Sequence, residues 1–201
     1  MSGRSRGGSD LRRRRNTRRE KPRILIVTEG ENTEPQYFNG LARELRASGV
    51  EVFRLQVEGI GRDPGRVVRR AAAARADAQP DDEYDHVWCV VDVDEHETLA
   101  AALRTAERLG IQVAVSNPCF EIWILWHFIE HRAHIDKKAL GEKLKRLGMT
   151  GKNLPNHFPF AAYSAAVTRA EPHGGTGEYE VAGNPSSSVC RLVKILTRRS
   201  Q

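Results

Sequence analysis

The sequence is poor in several things, and each shortage excludes a class. Its three cysteines, Cys89, Cys119 and Cys190, form no CxxC pair and no zinc-ligand spacing. That excludes a disulfide-stapled secreted scaffold and a zinc ribbon, and it points to reduced thiols in a cytoplasmic protein. No apolar stretch approaches the ~18 residues of a membrane span. The stretch CFEIWILWHF is too short and carries Glu121 and His127, so no membrane partner is expected. The arginines near the start are followed by no apolar segment, so a secretory signal is not expected. There is no GxxxxGK[ST], which argues against a P-loop ATPase even though VVDVDE resembles a Walker B strand. There is no HExxH either, so His127, His131 and His134 read as core or surface histidines rather than zinc ligands.

Acidic residues are scarce in one place only. Residues 1 to 23 hold ten Arg and Lys against two acids, a net +8; the remainder holds 22 against 24, a net −2. The overall charge of +6 is therefore a property of the first segment. Residues 1–22 are Gly-, Ser- and Arg-rich with almost nothing to bury, and are expected to be a disordered basic tail. Such an arm suits either solubility or contact with a nucleic-acid backbone through counterion release.

The rest alternates between strand and helix patterns. RILIVT (23–28) is apolar throughout, as a strand covered on both faces should be. A helix follows, with Thr33 and Gln36 fitting a capping box, Tyr37, Leu41 and Leu45 at helical spacing, and Gly49 as the stop. A strand over 50–57 leads to Asp63-Pro64 and an alanine-rich helix to about 79. HVWCVVDVD (86–94) is the third strand, 98–109 a helix ended by Gly110, and IQVAVS (111–116) the fourth strand. Asn117-Pro118 is placed to cap a helix CFEIWILWHFI, and further helices are expected at about 137–147, 159–170 and 186–198. The pattern predicts an α/β fold over 23–135, a parallel sheet of about four strands flanked by helices, with a helical extension over 136–201 packed on it.

In such sheets ligands bind at the carboxyl ends of the strands. There the first strand ends in Glu29, the third in Asp92 and Asp94, and the fourth in Ser116-Asn117. Carboxylates gathered at one edge repel and are costly to desolvate, and a divalent cation resolves the conflict. Mg²⁺, with Mn²⁺ as a substitute, prefers such oxygen ligands. Asp92 and Asp94 point to one face of the strand and are able to share one ion or bridge two, with Glu29 a third ligand or acting on a reacting oxygen. Glu31, Glu95 and Glu97 read as helix-cap acids. Glu121, four residues after Asn117 on a face otherwise Trp, Ile and Leu, is a fourth candidate for the site.

VTEGENTEPQYF, VVDVDEH, SNPCFEIWILWHF and NPSSSVCRLV, in this order and spacing, resemble the RloB family over about residues 22–198. The resemblance implies a Toprim-type, Rossmannoid core in which Glu29, Asp92 and Asp94 organise Mg²⁺ for phosphodiester chemistry. It also implies a role in abortive infection and phage defence beside an ATPase partner. The substrate class implied is nucleic acid, with RNA (tRNA included) and DNA both open. Glu34 belongs to the EGxxTE stretch and suits either the site or the first turn of its helix. Ser116, Asn117, Asn184 and Ser186 are candidates for contact with a phosphate; for Asn117, Asn184 and Ser186 the plainer reading is helix capping. Two rival functions stand beside a nuclease: nucleotidyl or phosphoryl transfer at the same metal, and a non-catalytic regulatory subunit of an ATPase.

Overall fold

A computed structural model describes residues 22–49, 54–60, 63–93, 98–151, 153–173 and 178–197. The expected basic tail up to residue 21, the start of the second expected strand, Lys152 and residues 94–97 lie outside the described residues. The order of elements is β1 (Arg23–Thr28), α1 (Thr33–Ala47), β2 (Arg54–Gly59), α2 (Pro64–Ala76), β3 (His86–Asp92), α3 (Leu99–Leu109) and β4 (Gln112–Asn117). Then come α4 (Glu121–Leu125), α5 (Lys137–Arg146), α6 (Tyr163–Ala170), β5 (Ser186–Ser187) and α7 (Val189–Thr197).

The strands form one sheet in the order β2-β1-β3-β4-β5, parallel except for the last pair. The architecture is a Rossmann-like α/β fold. Chain direction across the sheet reverses between β1 and β3, since β2 lies on one side of β1 and the later strands on the other. That is a topological switch point, and its crevice opens at the strands' carboxyl ends. Glu29 N donates to Val90 O at 2.9 Å, which keeps β1 and β3 paired up to the edge of that crevice.

Alternation along the strands splits the core in two. Ile24, Ile26, Trp88, Val90 and Ala114 face α1, α4, α6 and α7. Leu25, Val27, Val87, Cys89, Val91, Val113 and Val115 face α2 and α3. The His127 ring belongs to the first face. Its Nδ1 lies 3.1 Å from Trp123 O and its Nε2 3.3 Å from Tyr37 Oη, and burial depresses its pKa to about 4. It is a core histidine.

Some local expectations are corrected. The Thr33–Gln36 capping box does not form. Thr33 is already helical, Asn32 occupies the N-cap without a side-chain bond, and Gln36 reaches instead to Leu154 N (2.8 Å) and Asn153 (2.6 Å). Tertiary contact has overridden the local motif. Asn117 does not cap the following helix, because its side chain donates to Ala182 O at 3.0 Å. That helix is also shorter than its apolar run, with α4 ending at Leu125 and turns following. The C-terminal region contributes more than helices: β5 extends the sheet to five strands, with Ser116 opposite Ser187 and Asn117 opposite Ser186.

Candidate metal centre

Four carboxylates reach the crevice from four elements. Glu29 follows β1 directly, and its Oε2 accepts from Asp92 N at 3.2 Å. Asp92 ends β3, and its Oδ1 accepts from Phe120 N at 2.9 Å, tying the strand end to the turn that begins α4. Glu121 is the first residue of α4. Glu34, in the first turn of α1, folds back so that its Oε1 accepts from Gly30 N at 3.0 Å. Gly30 leaves the space this carboxylate occupies: a Cβ at that position would lie 2.0 Å from it and would push the Glu34 side chain away. The EG pair therefore has a steric basis in the glycine as well as a chemical one in the acid.

Asp92, Cys119 and Glu121 each offer one ligand atom, and these lie within 4.8 Å of one another. The electrostatics record the crowding. Asp92 is held well above the usual carboxylate range, first by desolvation and then by the charges of Glu34, Glu121 and Glu29, with Lys137 opposing. Glu34, almost fully buried, is pushed up to about 7, chiefly by desolvation, with Glu121 and Glu29 adding to it. Among the described residues, no Arg or Lys forms a salt bridge with Asp92, Glu34 or Glu121. Within that set, these three acids are gathered with no ion-paired cation.

The donor set fits a hard divalent ion. Carboxylate oxygens from Asp92 and Glu121, with Glu29 bonded to the Asp92 backbone, are the ligands that Mg²⁺ and Mn²⁺ take. Cys119 had no place in the sequence-based site, although it stands two residues before Glu121. Burial and the neighbouring Glu121 and Asp92 raise its thiol pKa far above the ordinary value, so it stays protonated and is hydrogen-bonded to Glu121. A neutral thiol orients a carboxylate better than it binds a hard ion.

The other sequence candidates are placed elsewhere or used otherwise. Asp94 lies outside the described residues. Ser116 is fully buried, with its Oγ 2.9 Å from Ser187 Oγ. Asn184 clasps the backbone of Ile135, accepting from its N at 3.0 Å and donating to its O at 2.9 Å, and Ser186 bonds to Ala182 O at 3.3 Å. With Asn117 on Ala182, these side chains are engaged in holding β4, β5 and the segment before α5 together.

The profile of a protein family described as RloB-like protein matches residues 24–196. The chain belongs to this RloB-like family. The matched span runs from the second residue of β1 nearly to the end of α7, so it takes in all five strands but for Arg23, the four carboxylates and nearly all of the C-terminal helices of this RloB-like chain. No curated protein and no solved structure matches it. No described helix is long and apolar enough to cross a membrane.

Proposed function

We propose that this RloB-like protein is a Mg²⁺-dependent nuclease that hydrolyses phosphodiesters in RNA or DNA. The observation that carries this reading is the convergence of Glu29, Glu34, Asp92 and Glu121 at the switch-point crevice, with Asp92 and Glu34 both raised by burial and by the charges of their neighbours. A site that holds carboxylates in so unfavourable a state is suited to receive a cation.

Asp92, Glu121 and Glu29, together with Asp94 as the sequence suggests, would hold the ion. When bound it supplies Lewis-acid stabilisation of the phosphoryl oxygens and lowers the pKa of coordinated water. The chain's own residues set the stage for this. Glu29 is fixed by the Asp92 amide, and Asp92 by the Phe120 amide, so the ligands are preorganised by backbone bonds. Glu34, titrating near neutrality, is suited to exchange a proton at working pH. Phe120 and Trp123, close to Glu121 in the chain, are buried and anchor the start of its helix in the core.

The family resemblance extends the proposal to a cytoplasmic defence against phage, in which an ATPase partner governs the nuclease. The test is cleavage of labelled RNA and DNA with Mg²⁺ or Mn²⁺, read alongside calorimetric metal binding. Wild type should bind the ion and generate new ends. Asp92→Asn, which keeps an oxygen for Phe120 N, should fold normally and lose both. A folded Asp92→Asn or Asp92→Ala protein that cleaves like wild type would refute the assignment. Labelled nucleotide appearing in a product would favour transfer over hydrolysis.

A further inference from the structure

A cavity of about 450 Å³ adjoins the carboxylates, within the size range of small-molecule sites. Asp92 and Glu121 line it together with Lys137 and Lys145 of α5 and the apolar Leu144 and Met149. Gly141, also in the lining, sits in the interior of α5. Glycine is the poorest helix former after proline, so its presence calls for a reason. Backbone conformation is not the reason, because Gly141 is absent from the positive-φ glycines of the chain. Close packing is not the reason either. A Cβ at Gly141 would meet nothing within 4 Å, whereas one at Gly40 in α1 would lie 2.1 Å from the Phe160 ring. Gly40 makes room for a side chain of the protein itself; the room at Gly141 is left open to the cavity.

The lining combines three chemistries: apolar surface, ammonium groups, and carboxylates suited to a divalent ion. A nucleotide presents the complement, a flat apolar-faced base joined to a phosphate that both lysine and a bound cation attract. A base inside a duplex has both faces stacked and its edge paired, and it enters such a cavity only by leaving the stack. We infer that the cavity seats one unpaired nucleotide of a nucleic-acid strand, its base against Leu144 and Met149 over the space left by Gly141, and its phosphate toward Asp92 and Glu121. The protein would then act on single strands, loops or ends. This deepens the nuclease reading and rests on it for the identity of the cation.

The experiment is titration of the full chain, in Mg²⁺ and separately in EDTA, with three probes: a phosphorothioate single-stranded oligonucleotide, the same strand annealed to its complement, and free 5′-AMP. Wild type should bind the single strand at least tenfold more tightly than the duplex. Gly141→Leu and Gly141→Phe fill the cavity and should weaken single-strand binding tenfold or more, with a melting temperature no lower than wild type. Gly141→Ala, with one added carbon, should cost at most about threefold. The proposal is overturned if folded Gly141→Leu and Gly141→Phe bind the single strand as wild type does. It is overturned equally if only free 5′-AMP shows dependence on residue 141. An uncleaved unmodified strand in Mg²⁺, with Gly141-dependent binding intact, would count against the nuclease reading and leave the cavity assignment standing.

Discussion

The two faces of the sheet are built from different materials. Toward α2 and α3 the core is aliphatic, with Leu25, Val27, Val67, Val68, Leu103, Val113 and Val115 packed as helix on sheet. Toward α1, α4, α6 and α7 it is aromatic: Tyr37, Phe38, Trp88, Phe120, Trp123, Trp126 and Phe158 are all buried. Tyr37 stands edge-on to Phe38, Phe120, Trp123 and Phe158 at centroid distances of 5.2 to 6.1 Å. The carboxylates of Glu34 and Glu121 are carried by helices of the aromatic face. Large rings fix the positions of α1 and α4 through many contacts each, and the acids at the ends of those helices are placed accordingly. The aliphatic face holds the sheet together; the aromatic face also aims the site.

The sharpest way to break this comparison is chemical. Asp92→Asn should reduce phosphodiester cleavage by about 10³-fold or more while unfolding at the same urea concentration as wild type or a higher one, since a destabilised charge is removed. A midpoint well below wild type would show that Asp92 is structural. Next, Trp123→Ala should cost about 4 kcal/mol of stability in urea unfolding and also impair cleavage, because Trp123 lies in the same short helix as Glu121. If activity survives at full rate in the folded fraction, the aromatic face does not aim the acids.

The pH dependence sharpens the contrast within one face. Glu34, raised from the ordinary 4.5 to about 7, keeps its proton in the folded state where the unfolded chain has lost it. Stability from this group therefore falls as pH rises from about 4.5 to 7. His127, lowered from 6.5 to about 4, behaves oppositely: the unfolded chain takes up a proton the folded core refuses, and stability falls as pH drops from 6.5 toward 4. Each displacement is worth about 3 kcal/mol, so in wild type the two slopes oppose between pH 4.5 and 6.5. Asp92 acts in the same sense as Glu34. In EDTA, Glu34→Gln should reduce the loss toward neutral pH by roughly 2–3 kcal/mol and expose the acid limb of His127 in calorimetric melts. Melts that run parallel to wild type from about pH 4 to 8 would contradict this account.

The smallest effect belongs to the aliphatic face. Leu103→Ala should cost about 2 kcal/mol, the low end for such a truncation, and leave cleavage per folded molecule within about twofold. A large loss of activity here would mean that both faces position the site.

These contrasts bear on what the sequence alone reveals. Glu29 and Asp92 were legible because packing gives a continuous apolar strand no reason to end in an acid, and Glu121 because it interrupts an apolar helical face. Cys119 was less legible, since a lone thiol in sequence carries no sign of the carboxylates folded against it. Ser116, Asn117, Asn184 and Ser186 read as capping residues or phosphate contacts, whereas the bonds of the first three to Ser187, Ala182 and Ile135 are long-range, and the two residues of β5 are too few to show a strand's alternation. The cavity walls from α5 and the turn after it were hidden for a similar reason: Gly141, Leu144 and Met149 acquire meaning only from the distant acids with which they line the cavity. The capping box at Thr33 shows the opposite failure, a good local motif displaced by the long-range bond from Leu154 to Gln36.

β5 carries one more consequence. Ser188 bonds both the N–H and the carbonyl of Val115 across 73 positions of sequence, and Ser187 meets Ser116 across 71. During synthesis, the ribosome therefore delivers β4 well before the chain that pairs with the carboxyl end of its outer edge exists. For that interval the strand end beside the acids is a bare template on which a neighbouring nascent chain can pair. Fast capture of the segment that carries β5 is thus a condition for avoiding aggregation as well as for completing the sheet.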